Sequence, residues 1–300
     1  MENNVLADYV EQFKRFRVFK ARGVEKVHKP CMLLAVIDLG ERGALTDNRV
    51  RYEETLDGFR EYAEALRPDE GLEPHFPFYH LRTSAFWSPD PDDTVVPRHS
   101  AMMGRSAVLD AELRRLICKD ADARFELRQA LIERWFPNEH AVVHEVIERR
   151  RLANQYESGL RAADEPLSAE DVPDSARSRT FRRLVLEAYD YRCAATGWRI
   201  LLPGPRAIVE AAHLVPWADS HDDRPSNGIA LTPTYHRALD WHLIAPGPDL
   251  RWHVSDALDE RIPDNQALLA LAGKSVIHGE RHRPAREALE WRYAHLLNGG

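Results

Sequence analysis

The sequence lacks the features that mark several large classes of protein. Its 300 residues include only three cysteines, Cys31, Cys118 and Cys193, and none of them forms a CxxC pair. Neither a disulfide framework nor a zinc site on paired cysteines is therefore supported. The longest apolar run, Cys31 to Ile37, is much shorter than a membrane span, so no membrane partner is expected.

Signals for export and signs of disorder are also missing. The first residues, Met1 to Asn4, have neither the basic start nor the apolar core of a signal peptide, so a cytoplasmic location is expected. Hydrophobic residues make up 44% of the chain and charged residues 30%, which is typical of a soluble globular protein. The length favours two domains.

The formal net charge of −7 argues, on average, against a polyanionic partner such as DNA. The charge is unevenly distributed, however. Residues 14–29 contain seven basic residues against one acid, and residues 177–192 contain five arginines against two acids. Each run is compatible with a solvated helix face and with a phosphate-binding surface.

An acidic segment separates the two halves of the chain. Residues 157–175 contain six acids against one base, together with Gly159, Pro166 and Pro173, which are expected to break regular structure. We therefore predict a first domain over residues 1–156, a linker over residues 157–176 and a second domain over residues 177–300.

The first half has the periodicity of helices. Apolar residues recur at helical spacing between Val5 and Phe16. Pro30 suits the first turn of a second helix over Cys31 to Leu39, which Gly40 and Gly43 can end. Further helices are predicted at Glu54 to Leu66, at about 107–136 with a break, and at about 139–156.

The second half changes to short strands. Residues 207–215 are predicted to form a strand, residues 229–231 a second strand, and Pro233 to Trp241 a helix. Strand, loop, strand and helix make a compact ββα unit, and residues 243–245 and 252–254 can add a hairpin. The chain as a whole is predicted to be α+β.

Chemically useful side chains occupy this unit. His213 ends the first strand, Asn227 lies in the loop, and His236 lies on the helix. Asp240 follows His236 by four residues and therefore shares its helix face. Imidazole and carboxylate suit Mg²⁺, Mn²⁺ or Zn²⁺, whereas a histidine that titrates near neutrality can take a proton from water.

The same region resembles the HNH (ββα-metal) endonucleases over roughly residues 180–255. The similar segments are Cys193–Trp198, Glu210–Trp217, Ser226–Leu231 and His236–Asp240. The resemblance implies that His213 is the general base, that Asn227 fixes the loop and the catalytic geometry, and that His236 and Asp240 bind a divalent metal, Mg²⁺ or Mn²⁺. His236 is thereby counted among the catalytic residues.

The chain departs from the usual HNH pattern at two positions. Many HNH enzymes carry an Asp or His metal ligand directly before the general base, where this chain has Ala212. Glu210 lies on the same strand face as Ala212 and is therefore the candidate third ligand. Many relatives also hold zinc on CxxC pairs, but Thr196 replaces the second cysteine, so no structural zinc is predicted.

The first half is similar to the sulfur-binding domain of type IV, McrA-like restriction enzymes, which recognises phosphorothioate DNA. The similar segments are His28–Pro30, Leu33–Leu39, Pro77–Leu81 and Phe86–Trp87. The resemblance implies an apolar cavity for sulfur, lined by Phe76, Pro77 and Tyr79. It also implies flanking phosphates on His28, Lys29 and Arg82, with Arg105 as a further contact to base or phosphate. The plainer interpretation is that most of these aromatic residues are core residues around a turn.

Together, the two resemblances predict a restriction enzyme that reads modified double-stranded DNA and cuts it. Since one ββα site cuts one strand, a double-strand break suggests a homodimer, for which the apolar stretches in residues 256–297 are candidates. Two alternatives remain open. The first is an HNH effector whose N-terminal domain senses a protein or small molecule, and the second is a non-cutting reader of modified DNA with a decayed nuclease module.

Overall fold

The computed structural model describes residues 2–21, 23–92, 102, 104–162, 171–202, 206–279 and 282–298. The chain forms two compact units, Met1–Asn154 and Gln155–Gly300. No helix in the described part of the chain is long and apolar enough to cross a membrane.

The first unit is built mainly from helices with two small sheets. Its helices are α1 (Glu2–Arg15), α2 (His28–Glu41), α3 (Tyr52–Leu66), α4 (His75–His80), α5 (Ala111–Lys119), α6 (Ala121–Trp135) and the first part of α7 (His140–Ala162). Its strands are β1 (Lys20–Ala21), β2 (Val24–Glu25), β3 (Arg49–Arg51), β4 (Trp87–Pro89) and β5 (Ser106–Leu109). A 3₁₀ turn, Leu81–Thr83, follows α4.

Helix α2 runs through the centre of the first unit. Residues 29 to 40 of this helix are all buried, as expected for a segment that is apolar on every face. The helix was predicted to end at Gly40, but it continues through it. A Cβ at position 40 would lie 2.1 Å from Cγ2 of Ile117, so this glycine allows α5 to approach α2 closely.

One buried acid in α2 has arginine and tyrosine partners. Asp38 is 1% exposed and accepts hydrogen bonds from Arg128 Nη2 at 2.7 Å, Arg150 Nε at 2.5 Å and Tyr62 Oη at 3.0 Å. Arg150 also donates to Glu61 at 2.8 Å. These charge-assisted bonds tie α2 to α3, α6 and α7.

The three-stranded sheet of this unit has the order β3-β5-β4 and is antiparallel. Residues 107–109 were predicted to be helical, which is wrong because they lie in β5. The buried residues Ala107 and Leu109 alternate there with partly exposed neighbours. The helix begins only after Asp110, whose side chain accepts from the backbone N–H groups of Glu112 and Leu113.

The second unit combines short helices with two-stranded antiparallel sheets. It contains the end of α7, α8 (Asp174–Ala188), α9 (Trp217–Ser220), α10 (Pro233–Asp240), α11 (Gln266–Leu269), α12 (Arg286–Ala294), β6 (Leu201–Leu202), β7 (Arg206–Ala207), β8 (Glu210–His213), β9 (Gly228–Leu231), β10 (Ile244–Pro246) and β11 (Trp252–Val254). A 3₁₀ turn, Pro225–Asn227, precedes β9.

The predicted ββα unit is present. Strand β8 pairs with β9 in a register that sets Glu210 opposite Leu231 and His213 opposite Gly228. Thr232 follows in extended conformation, and Pro233 starts α10, because proline is suited to the first turn of a helix. The predicted hairpin forms as β10 and β11. The helical first unit and this ββα unit confirm the α+β class.

Two predictions for the second half require correction. Helix α7 continues through Gly159 to Ala162, and α8 begins at Asp174, so both ends of the predicted linker are helical. Residues 163–170 lie outside the described residues. In the C-terminal segment proposed for dimerisation, four apolar residues pack in the core of their own unit, which removes them from any dimer interface: Leu271, Val276, Ala288 and Leu289.

Candidate functional site

His213 lies at the end of β8, and its ring has a neighbour on one face and another at its edge. The ring stacks on Phe181 of α8, with centroids 3.7 Å apart and an interplanar angle of 1°. At its edge, Nε2 lies 2.8 Å from Oδ1 of Asp223. Because a carboxylate accepts, Nε2 carries the proton in this bond, and the lone pair of the neutral ring is then on Nδ1.

Asp223 is a fully enclosed acid with partners on both oxygens. It is 1% exposed, and its Oδ2 accepts from Tyr156 Oη at 3.0 Å and from Arg177 Nη1 at 2.7 Å. Arg177 in turn lies over the ring of Trp217, 3.6 Å from its centroid. Burial, followed by the charge of Asp223, raises the pKa of Tyr156, which keeps its hydroxyl a hydrogen-bond donor.

Asn227 closes the loop between β8 and β9. Its Oδ1 accepts from the backbone N–H of Val215 at 2.9 Å, and its Nδ2 donates to the carbonyl of Val215 at 3.0 Å. The same Nδ2 also donates to the carbonyl of Asp222 at 2.9 Å. One buried amide thereby fixes both ends of the loop, including the residue directly before Asp223.

Gly228 allows the stack on His213 to form. It is the β9 partner of His213, and a Cβ there would lie 2.2 Å from Cγ2 of Val185 and 3.1 Å from the ring of Phe181. Any side chain at this position would therefore push α8, and with it Phe181, away from the histidine.

His236 lies between two carboxylates that it meets through opposite ring nitrogens. Its Nδ1 is 2.8 Å from Oε2 of Glu210, and its Nε2 is 3.7 Å from Oδ2 of Asp240. The structure thus brings together the three predicted metal ligands. Within the described ranges, however, no group of three or more His, Cys, Asp or Glu side chains is arranged around a common point for a metal ion.

These groups border one open cleft of about 380 Å³. Its walls include His213, His236 and Glu210, and α8 contributes Ser178 and Arg182. Arg182 forms no ion pair with any described residue. An unpaired guanidinium beside two histidines is well suited to bind a phosphate. Ala212 is fully buried in the core.

Arg292 of α12 connects β8, which carries His213, to α10, which carries His236. Its guanidinium donates to the carbonyls of Leu214 at 2.6 Å, His213 at 3.0 Å and Leu239 at 3.3 Å. Burial lowers the pKa of Arg292 to about 10. The residue therefore sets the end of β8 relative to the end of α10, where Asp240 lies.

In the first unit, the predicted contact residues divide into exposed and buried ones. Phe76 is 38% exposed on α4, and the ring of His28 meets it edge-on with centroids 6.5 Å apart. Arg82 is exposed and stacks over Tyr79 at 3.8 Å. Pro77, by contrast, is buried.

Helix α4 is fixed by aromatic residues of the core. Phe78 meets Tyr52 and Trp87 edge-on, both with centroids 5.2 Å apart, and Trp87 Nε1 donates to the carbonyl of Phe78 at 3.1 Å. The plainer interpretation therefore holds for Phe78 and Trp87, whereas Phe76 lies on the exposed side of the same helix.

Lys29, a predicted phosphate contact, has an internal position in the first unit. It is 8% exposed, and its ammonium donates to the carbonyl of Arg17 at 2.7 Å and to Thr83 Oγ1 at 3.3 Å. Lys29 thus fastens the basic segment to the turn that carries Arg82. Burial lowers the pKa of Lys29; burial, followed by the charge of Lys26, lowers that of His28.

Most of the basic run is neutralised by local acids. Ion pairs join Lys14 to Glu133, Arg15 to Glu11, Lys20 to Glu25 and Lys26 to Glu70. Arg17 is exposed and shows no ion pair within the described part of the chain. Phe19, two residues later, is 74% exposed. Arg22 lies outside the described residues.

Arg105, the further predicted contact, lies on the loop that leads into β5, where its carbonyl accepts from the backbone N–H of Tyr52 at 2.9 Å. Its neighbour Met103 lies outside the described residues.

Sequence reasoning did not identify Asp223, Arg182 or Arg292 as candidate site residues. The run of arginines in residues 177–192 contained a signal for Arg182. Asp223 could not be distinguished from Asp219 and Asp222 in the same polar loop, since only the folded loop decides which of them faces His213.

Comparison with known proteins decides the family. Residues 6–155, half of the chain, match the ScoMcrA-like DNA sulfur-binding domain. The chain belongs to this family. Residues 193–245 match the HNH endonuclease family. Both resemblances seen in the sequence are therefore confirmed, and the second unit is that of a nuclease. A DNA sulfur-binding domain joined to an HNH nuclease is the composition of a modification-dependent restriction endonuclease.

Two solved structures are similar to parts of the chain. One is the sulfur-binding domain of SprMcrA complexed with phosphorothioated DNA, with 12% identity and a TM-score of 0.38 over 49% of this chain and 96% of that one. The other is the modification-dependent TagI restriction endonuclease, with 23% identity and a TM-score of 0.33 over 43% of this chain and 41% of that one. No curated protein matches the chain.

Proposed function

We propose that the chain is a phosphorothioate-dependent restriction endonuclease that hydrolyses phosphodiester bonds in double-stranded DNA with His213 as general base. Residues 1–156 form the reader in this proposal, and residues 177–300 form the nuclease. The observation that carries the proposal is the cleft of the second unit, where His213, His236 and Arg182 border the same space.

His213 is placed to take a proton from water. Its Nε2 is bonded to Asp223, so Nδ1 is the nitrogen with a free lone pair. A neutral imidazole with a free lone pair can accept a proton from an attacking water molecule. Asn227 holds the loop that surrounds this histidine, which is the role implied by the HNH resemblance.

The donor set on the other side of the cleft fits a divalent metal. HNH nucleases generally depend on such an ion. His236 Nε2 and Asp240 would hold Mg²⁺ or Mn²⁺, and Glu210 would accept the proton of Nδ1 and orient the ring. When bound, the ion would polarise the scissile phosphate and stabilise the leaving 3′ oxygen. Glu210 thereby becomes a positioning residue, whereas the sequence suggested a direct ligand.

Arg182 would hold the phosphate from the side of α8. Its guanidinium pairs with no acid among the described residues, and a planar guanidinium can form two parallel hydrogen bonds with a phosphate, which an ammonium cannot. In this arrangement His213, Arg182 and the metal-binding His236 would lie around one phosphate.

Recognition is assigned to the exposed side of α4 and its neighbours. Phe76 and Tyr79 offer an apolar contact for sulfur, which is softer than oxygen and a poorer hydrogen-bond acceptor. Arg82 and the exposed Arg17 offer cations for flanking phosphates, and Lys29 holds their two segments together. His28 contributes mainly as a neutral ring, because its pKa is lowered.

The cellular context follows from the same chemistry. Restriction of DNA places the enzyme in the cytoplasm. Because one ββα site cuts one strand, a double-strand break calls for a homodimer.

The test is incubation of the wild-type chain and His213→Ala with phosphorothioate, methylated and plain duplexes in the presence of Mg²⁺ or Mn²⁺. We expect cleavage of the phosphorothioate duplex alone, its loss in His213→Ala, and its loss with EDTA. Equal cutting of the plain duplex would overturn the reader assignment. Cutting that survives in His213→Ala would overturn the assignment of the base.

A further inference from the structure

We infer that Asp223 is the residue that positions the general base, so that His213 and Asp223 act as a histidine–carboxylate pair. The inference rests on the proposed role of His213 and deepens it. It concerns which nitrogen of His213 carries a proton and how the imidazole ring is oriented.

The first step is the tautomer. A neutral histidine has one N–H and one lone pair, and the two tautomers differ little in energy in water. The bond from Nε2 to Asp223 Oδ1, 2.8 Å long, selects the tautomer that is protonated at Nε2. In the neutral ring, Nδ1 is then the nitrogen with the lone pair, and it is the atom that would accept the proton of water.

The second step is the rigidity of Asp223 itself. Its other oxygen is held by Tyr156 from α7 and by Arg177 from α8, and its side chain is fully buried. A carboxylate with donors from two helices cannot rotate away from His213 without leaving a buried guanidinium unpaired. The packing of α7 and α8 therefore fixes Asp223, and through it the orientation of the imidazole.

The third step explains what Asn227 contributes. Asn227 Nδ2 donates to the carbonyl of Asp222, whose neighbour in the chain is Asp223. The amide thus fixes the backbone from which Asp223 reaches His213. Asn227 acts on the base through Asp223, and it acts on the loop through Val215.

The charge distribution favours a role in the reaction over a purely structural one. When His213 takes a proton from water, it becomes an imidazolium beside a buried carboxylate. The attraction between these charges strengthens as the proton arrives, so Asp223 stabilises the state that follows proton transfer more than the state before it. A residue that merely supports the fold would favour both states equally.

The decisive variant is Asp223→Asn, which keeps the size of the side chain and an oxygen for Arg177. Its amide can donate to Nε2, which would shift the proton of His213 to Nδ1 and remove the base. We expect the single-turnover cleavage rate of bound phosphorothioate DNA to fall about 100-fold or more, within the range of general-base catalysis, while the dissociation constant for that DNA stays within about threefold. Asp219→Asn is the matched control, because Asp219 is an exposed acid on α9 in the same loop, and it should cut at the wild-type rate.

Nitrogen-15 NMR of the imidazole provides a readout apart from catalysis. The chain has 14 histidines, and the signals of His213 are those that disappear in His213→Ala. We expect the Nε2–H tautomer in the wild type and a change of tautomer in Asp223→Asn, with the circular dichroism spectrum and melting transition showing that the variant is folded.

The outcomes separate this inference from the proposed function. If His213→Ala abolishes cutting and folded Asp223→Asn cuts within threefold of the wild type with an unchanged tautomer, the inference is overturned and the base assignment stands. If His213→Ala still cuts, both are overturned. A rate loss in Asp223→Asn with retained DNA binding and an altered tautomer supports the pair.

Discussion

Each unit of the chain buries one aspartate against arginine and tyrosine, yet the two clusters differ in one partner. Asp38 in the first unit is bonded to Arg128, Arg150 and Tyr62. Asp223 in the second is bonded to Arg177, Tyr156 and His213.

That one partner separates a structural cluster from a chemical one. Arginine and tyrosine keep their protons at physiological pH, so the cluster around Asp38 has a constant charge and holds helices together. Histidine gains and loses a proton in this range, and His213 borders an open cleft. A buried acid is therefore informative about function when one of its partners can titrate and reach solvent.

The largest effect is expected in the second unit, from His236→Ala. It removes the imidazole that would bind the metal, so cleavage should fall by roughly 1,000-fold, the middle of the range for a group in direct contact with the reaction. Calorimetry should show that Mn²⁺ binding is lost as well, while binding of phosphorothioate DNA by the first unit persists. Wild-type Mn²⁺ binding in the variant would contradict this assignment.

A large effect on stability, and none on cleavage, is expected for Asp38→Asn in the first unit. The change leaves Arg128 and Arg150 without their shared buried charge, so the free energy of unfolding should fall by about 3 kcal/mol in urea titration. The folded protein should retain its cleavage rate. Asp69→Asn, at an exposed turn, is the control and should change stability by less than about 0.5 kcal/mol. A cleavage defect in folded Asp38→Asn would contradict the assignment of the Asp38 cluster to structure alone.

A smaller effect is expected from Phe76→Ala on the exposed side of α4. Loss of the apolar contact should weaken binding of the phosphorothioate duplex about tenfold, or roughly 1.4 kcal/mol, and leave binding of the plain duplex nearly unchanged. Phe125→Ala is the matched control, since Phe125 is an exposed phenylalanine, at 62%, on α6. Equal losses on both duplexes would show that Phe76 does not discriminate sulfur.

The smallest effect is expected from Arg82→Gln. Removal of one phosphate-binding cation should weaken both duplexes by a similar factor and reduce the slope of log affinity against log salt concentration by about 1. A loss confined to the phosphorothioate duplex would instead make Arg82 part of the discrimination.

The sequence predicted the elements that local chemistry determines. Pro233 after Thr232 located the start of α10, and the spacing of His213, Asn227 and His236 located the ββα site, because these signals depend on neighbours in the chain. The ββα unit and the HNH resemblance followed from them, whereas the resemblance to the sulfur-binding domain came from segments of the first half such as His28–Pro30 and Pro77–Leu81.

What the sequence could not predict depends on contacts between distant residues. Lys29 was expected at the surface as part of a basic run, but its ammonium lies between Arg17 and Thr83. Asp223 meets His213 across a loop that Asn227 closes, and its other partners, Tyr156 and Arg177, come from two helices more than 40 residues away in the chain. Sequence rules treat a glycine such as Gly40 as the end of a helix. In the structure this glycine lies within α2 and allows α5 to pack closely against it.

The most direct test of the division into a reader and a nuclease is equilibrium binding of His213→Ala, which should not cut, to two duplexes of the same sequence. One duplex has a single phosphorothioate linkage on each strand, and the other has none. The account predicts at least tenfold tighter binding of the phosphorothioate duplex at physiological salt, with the preference reduced by Phe76→Ala and unaffected by His236→Ala. Equal affinity for the two duplexes would contradict it.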